Sequence, residues 1–393
     1  MTPDFRKEAD LLAGWLTEVR RDFHRFPEES FEETRTAAKI SGLLREWGYE
    51  VSAVGKTGVK GVLRGVPGSK TIAIRADMDA LPVTEETGLA FASAVPGMMH
   101  ACGHDIHMTC ALGAARMLAE AGKNDTLPGS VVMLFQPAEE LNLGAAAIIR
   151  DGALADPKVD MIFGLHNHPS YPAGTVVVKE GPMMAAVDTL KIRITGRGSH
   201  GAIPHMSADP IVAAASVVMN LQTVVSRNTD PQDSAVLSFG TVRGGTADNV
   251  IPEIIEMTGT VRSFRPEVRD ALHRRIGEIA SSTAAALGCG AEVGIRRDLP
   301  AVINDGASYS CCVRAARTAA GEDKIITATP SMGGEDFALF QELIPGCMFW
   351  LGVGNEAIGA VYPWHSPRFI ADESALPVGA AALAQAAYIA AGG

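Results

Sequence analysis

The segment MHACGHDIHMTC, residues 99–110, crowds His100, Cys102, His104, Asp105 and His107 together in a chain that has ten histidines and six cysteines in all. Thiolate and imidazole bind zinc, manganese or cobalt, and a carboxylate adds charge and can bridge two ions. A single Cys-x-His is weak ground for a metal. Free cysteine is among the most buried residue types, and a lone histidine is more often structural than a ligand. The chemistry gains weight from Glu139 and Glu140 in QPAEE and from His166 and His168 in LHNH. Adjacent carboxylates at a strand end are costly unless they are solvated or neutralised by a cation.

These residues need elements to hold them. Residues 5–23 and 31–47 show apolar positions at helical spacing, and GVLRGV, TIAIRA, SVVMLFQ and MIFGLH are short apolar runs bounded by turn residues. Further helices over 104–121 and 143–151 give the rhythm of an α/β fold, a mixed sheet flanked by helices. Ligands in such folds gather beyond the carboxyl ends of strands. RADMDALP, QPAEE and LHNH each follow a predicted strand there.

From about residue 187 the pattern changes. DTLKIRITGR alternates like a half-exposed strand, and Asp209 and Pro210 open a helix. Strands over 235–243 and 253–263, a charged amphipathic helix over 266–287 and a strand near 290–296 follow. The order is β-α-β-β-α-β, a ferredoxin-like unit inserted into a larger domain. The boundaries predicted are 1–182 for the first catalytic segment, 183–295 for the insert and 296–393 for the second catalytic segment. The charge-free stretch SALPVGAAALAQAAYIAAGG is weakly hydrophobic and reads as a buried helix, not a membrane span.

Composition excludes some partners. A formal charge of -11 opposes binding to a phosphate backbone, so nucleic acid is not expected. The cysteines lack the dense spacing of a secreted disulfide scaffold, and the first residues lack the apolar core of a signal peptide, so a cytoplasmic protein with reduced thiols is expected. No Ser nucleophile elbow or glycine-rich phosphate loop is present.

RADMDALP, MHACGHDIHM, LFQPAEE, FGLHNHP, GRGSHGAIPH, DNVIPE, GTVR, GGEDFA and HSPRF occur in this order. The chain thereby resembles the aminoacylase, hippurate hydrolase and indole-acetyl-amino-acid hydrolase family, the amidohydrolase branch of the dinuclear metallopeptidases. The resemblance implies a catalytic domain interrupted by a lid that mediates homodimerisation, and hydrolysis of N-acyl amino acids with two divalent ions (manganese, zinc or cobalt). It makes Cys102, His104, Glu140, His166 and His365 the metal ligands and Glu139 the general acid/base. His100 and His107 then fall outside the ligand set, as hydrogen-bonding supports or helix-facing neighbours. Asp77, Asp79 and Asp105 either orient ligand imidazoles or cap a strand end and a helix start. A dipeptidase or carboxypeptidase could use the same centre, and a non-catalytic ligand-binding protein could retain the fold.

The family pattern also implies that His200, after GRGS, reaches a substrate carbonyl in the neighbouring subunit's site. His205 has a weaker case. Asn249 and Arg262 resemble contacts to a substrate carboxylate, and Gly333 and Gly334 allow close approach of backbone to substrate. Two departures from the family pattern stand beside the site. Leu141, Asn142 and Leu143 precede Gly144 where a glycine-rich turn is usual, and Trp364 directly precedes His365.

Overall fold

The computed structural model describes residues 3–124 and 127–393. It falls into two compact units, one taking the chain up to Met183 together with Ile303–Thr329 and Asp336–Gly393, the other Met184–Val302 with Pro330–Glu335.

The first unit is built on an eight-stranded sheet in the order Glu50–Val54, Gly58–Leu63, Ser130–Gln136, Thr71–Asp77, Met161–Pro172, Gly346–Gly354, Val176–Val178, Ile325–Thr327. Its middle strands, from Ser130–Gln136 to Gly346–Gly354, run parallel, and antiparallel neighbours flank them on both sides. TIAIRAD is buried at every position and SVVMLFQ at all but Ser130, because a parallel strand has both faces covered. The covers include helices His104–Lys123 and Leu376–Ala390, which pack together. Small residues permit that approach: a Cβ on Gly113 would stand 2.8 Å from the methyl of Ala380. The alanine-rich C-terminal helix is indeed buried almost throughout.

Parallel strands send their carboxyl ends to one edge, so the segments after Asp77 and after Gln136 emerge together. The third segment differs from the sequence-based expectation. His166 and His168 lie inside Met161–Pro172, not beyond its end, because pairing with Gly346–Gly354 continues through Trp350↔His166 and Gly352↔His168.

The second unit is a four-stranded antiparallel sheet in the order Ala235–Arg243, Ile254–Ser263, Ala186–Thr195, Gly290–Leu299, with helices Pro210–Asn228 and Pro266–Ala286. This is the β-α-β-β-α-β order expected. Leu190, Ile192 and Ile194 alternate inward onto Val217, Leu221, Leu272 and Ile276. Asp209 caps the first helix by accepting from the amide of Ile211 at 2.8 Å. The last strand runs on to Leu299, which pairs with Val187 beyond a bulge and carries the compact unit to Val302. A two-stranded ribbon joins Ser199–His200 to Val250–Ile251.

Candidate metal centre

Cys102 and His104 are separated by Gly103, which has φ +85° and caps helix His104–Lys123. A Cβ there would meet Asn167 Nδ2 at 2.3 Å, so only glycine lets the thiol and the imidazole turn into one space. Cys102 Sγ lies 3.5 Å from His166 Nε2. His104 Nε2 lies 3.9 Å from Glu139 Oε2 and 3.8 Å from Glu140 Oε1, and His365 Nε2 lies 3.5 Å from Glu140 Oε1. Ligand atoms of Cys102, His104 and His166, of Cys102, Glu140 and His365, and of His104, Glu139 and Glu140 gather within 4.8 Å in each set.

The residues present fit a cation. Both ring nitrogens of His104 and Oε1 of Glu140 are buried without a hydrogen-bond partner among the described residues. Buried polar atoms are otherwise almost always partnered. Burial, reinforced by Glu140, pushes the Cys102 thiol well above its ordinary range. Burial works against the charged form of His104, but Asp77 and Cys102 outweigh it and hold its pKa well above normal. Thiol, imidazole and carboxylate together suit two divalent ions of the zinc, manganese or cobalt type.

His166 is aimed by a neighbour. His166 Nδ1 donates to the carbonyl of Asn167 at 2.7 Å, which leaves the Nε2 lone pair toward Cys102. Burial lowers its pKa to about 4, so the ring is neutral, as a ligand must be. His107 is not a donor to the cluster. Its Nε2 accepts from the amide of Asn167 at 2.8 Å, and its Nδ1 gives its proton to Asp77 at 2.6 Å. His100 is buried as well, and neither of its nitrogens has a partner among the described residues. Asp105 holds no ligand ring; it accepts from Arg20 at 2.8 Å and pairs with His24 at 2.9 Å, tying the start of the helix to Ala13–Arg25. Asp79 stands 3.4 Å from His104 Nδ1 and also accepts from the amides of Glu139 and Glu140.

Glu139 and Glu140 leave the sheet on a contorted turn. Ala138 and Asn142 have φ of +49° and +57°, and the amides of Leu143 and Gly144 both point at the carbonyl of Ala138, 3.3 and 3.1 Å away. Asn142 thus stands where a glycine-rich turn would place a glycine, since asparagine tolerates this region better than most residues. Leu141 and Leu143 remain about half exposed. His365 also has a left-handed φ, +63°, pinned by its amide to the carbonyl of Ala101 at 2.9 Å. Such conformations cluster at sites where the surroundings hold them. Trp364 donates to Asn167 Oδ1 at 3.2 Å and lies edge-on to His166, forming the aromatic wall beside the donors. His168 packs instead edge-on to Tyr171 and Trp364 and tilted against Trp350.

Sequence reasoning missed Arg75 and Asn167. Arg75 is fully buried and spans Asp77, Gln136 and Asp336, each at 2.8 Å. A charge inside the apolar run TIAIRAD was the visible signal, since such a group is buried only with partners.

The second unit presents its residues differently. His200 is exposed, and its Nδ1 accepts from the amide of Ala202 at 3.0 Å. The carbonyl of Asn249 accepts from Gly201 at 2.7 Å, so Asn249 lies beside His200. Arg262 sits on another strand, half-buried, donating to Thr260 at 2.9 Å and to the carbonyl of Met332 at 3.2 Å. Gly334 has a packing reason for its missing side chain, because a Cβ would meet Val187 at 2.4 Å. His205 is in an exposed turn of 3-10 helix.

This fold and this donor set define a metal-binding hydrolase of the dinuclear type. The chain belongs to Peptidase family M20/M25/M40, whose model matches residues 73–388. It is 44% identical over 377 residues to the N-acetylcysteine deacetylase of Bacillus subtilis, with 95% of this chain and 96% of that protein covered. It is 38% identical over 376 residues to thermostable carboxypeptidase 1 of Saccharolobus solfataricus, with 94% of each covered. The crystal structure of a Bacillus subtilis protein described as a dinuclear metal binding peptidase from the M20 family matches with a TM-score of 0.86 at 40% identity, over 97% of this chain and 99% of that one. The chain is thus an amidohydrolase, as the ordered motifs implied. No described helix is long and apolar enough to cross a membrane.

Proposed function

We propose that the protein hydrolyses the amide bond of N-acyl amino acids with Glu139 as general acid/base. The observation that carries this reading is the juxtaposed pair Glu139 and Glu140: Glu140 Oε1 faces His365 Nε2 at 3.5 Å, and Glu139, buried beside it, stands 3.9 Å from His104 Nε2, so a second carboxylate lies at the donor set to move a proton. Two divalent ions held by Cys102, His104, Glu140, His166 and His365 would polarise the amide carbonyl and lower the pKa of water toward neutrality. Glu139 takes the proton of the attacking water and returns it to the leaving nitrogen.

His200 supplies a donor to the developing oxyanion in the neighbouring subunit of a homodimer. The bond from Ala202 to its Nδ1 supports this, because it leaves the ring proton on an exposed Nε2. Arg262 and Asn249 receive the substrate carboxylate. Among the described residues no carboxylate hydrogen-bonds to Arg262: Asp188 and Asp298 act on it through space while bonding to Arg269 and His273 and to Arg296 and Thr189.

Chelation should abolish turnover, and manganese, zinc or cobalt should restore it. Full activity in metal-free protein would end the reading. A panel of N-acyl amino acids and dipeptides, assayed on the reconstituted enzyme, decides the substrate class. Preference for dipeptides would move the protein toward the carboxypeptidase it resembles.

A further inference from the structure

The turn that presents Glu139 and Glu140 cannot hold itself. Its carbonyl at Ala138 is used inside the turn, but the three successive amides of residues 138–140 point outward, and carboxylates meet all three. Asp79 takes two of them, Glu139 at 3.0 Å and Glu140 at 3.1 Å, and is itself steadied by Ser30 at 2.7 Å. The amide of Ala138, the residue with φ +49°, goes to Oε1 of Glu33 at 3.0 Å.

We propose that Glu33 is a positioning residue for catalysis: by gripping the amide of Ala138 it sets the direction in which Glu139 and Glu140 leave the sheet. Glu33 lies just before helix Thr34–Glu46 and is fully buried. Its other oxygen accepts from the Thr57 hydroxyl, so the carboxylate is fixed at both ends. Burial raises its pKa, and the bonds from Thr57 and Ala138 counter that rise. Gly58, next to Thr57, packs on the same turn, since a Cβ there would stand 2.9 Å from Pro137 Cδ. Glu33 thus joins the turn to a segment that contributes no ligand. A left-handed alanine is sparsely populated in the absence of such a hold, and an error of about 1 Å in a catalytic group costs on the order of a hundredfold in rate.

The inference rests on Glu139 being the acid/base, and its test has one arm that needs no activity. Glu33→Asp keeps the charge but is one methylene too short to reach both Thr57 and Ala138. Glu33→Gln keeps an oxygen for the amide and a donor for the Thr57 hydroxyl. In Glu33→Asp, hydrogen exchange at the amides of residues 138–140 should quicken by about tenfold or more, with bound metal unchanged. On the N-acyl amino acid that the wild type cleaves best, kcat should fall by about 10- to 100-fold with KM within about threefold. Glu33→Gln should stay within about fivefold of wild type in both readouts. If Glu33→Asp does not fold, Thr57→Val, which frees one end of Glu33, carries the same expectation at reduced size. Unchanged exchange at 138–140, or a loss of kcat that only follows loss of metal, would overturn the proposal. Wild-type protein that turns over no acyl amino acid would sink the functional reading instead, and the exchange arm would still judge Glu33.

Discussion

The two units hold the polar residues that the sequence singled out in different ways. In the first, Asp77, Asp79, His104, His107 and His166 are all buried, and most are locked by a second bond from Asn167, Arg75 or a backbone group. In the second, His200 is exposed on a two-stranded ribbon, with Asn249 and His205 exposed as well. The contrast separates two kinds of functional residue. Donors that share ions are best assembled before the ions arrive, and all five proposed ligands come from this one unit, four of them largely buried and His365 at its open side. On the proposed function, His200 and Asn249 meet the substrate, and their exposure leaves them solvated until it comes.

The comparison is tested most severely where the locked cluster does its chemistry. Glu139→Gln should lower kcat by about 10²- to 10⁴-fold while both ions stay bound, whereas Cys102→Ala should lose metal; kinetics and metal analysis together read both. Metal loss in Glu139→Gln would reverse the roles assigned to the two glutamates.

If the exposed His200 works on a partner's site, His200→Ala should cost about 10²- to 10³-fold in kcat without changing metal content. Mixing His200→Ala with Glu139→Gln should restore activity in verified heterodimers, because one hybrid site holds both intact groups. Absence of recovery would confine His200 to its own chain or remove it from catalysis.

A smaller effect is expected at Arg262, which is half-buried between these extremes. Wild type should prefer a free-acid substrate over its carboxamide by about thirtyfold or more in kcat/KM, and Arg262→Ala should erase most of that preference. An equal loss on both substrates would make the residue structural.

The least effect belongs to a locked group of the second unit, Asp188. Burial tends to raise its pKa, but bonds from His273 and Arg269 outweigh it and hold the carboxyl below its usual range. A depressed acid contributes stability above its unfolded pKa of about 3.9, and that stability is lost as pH falls through the lower folded value. Thermal melts should therefore show Asp188→Asn less stable than wild type at pH 6, with the gap narrowing steadily as pH falls below about 4. A gap that does not narrow with falling pH would assign the loss to packing.

Much of the first unit was legible because its signals are local. The apolar runs TIAIRA and SVVMLFQ became central strands, and in the second unit Asp209 followed by Pro210 likewise opened a helix where expected. What escaped was long-range. The extension of Met161–Pro172 past His166 depends on pairing with residues nearly two hundred positions away, and Asp105 found Arg20 and His24 instead of a ligand ring.

By itself the sequence determined which donors exist and in what order, the α/β rhythm and the inserted β-α-β-β-α-β unit. These follow from side-chain chemistry and from periodicities that every short segment carries alone. The family motifs already set His166 apart from His107, and only the tertiary structure decided which ring nitrogen of each is engaged. Asn167 accepts a proton from one ring through its carbonyl and gives its amide proton to the other, which leaves the first free to face Cys102 and satisfies the second. A hydrogen-bond tautomer is a property of the neighbour that folding brings, and no spacing in the chain encodes it.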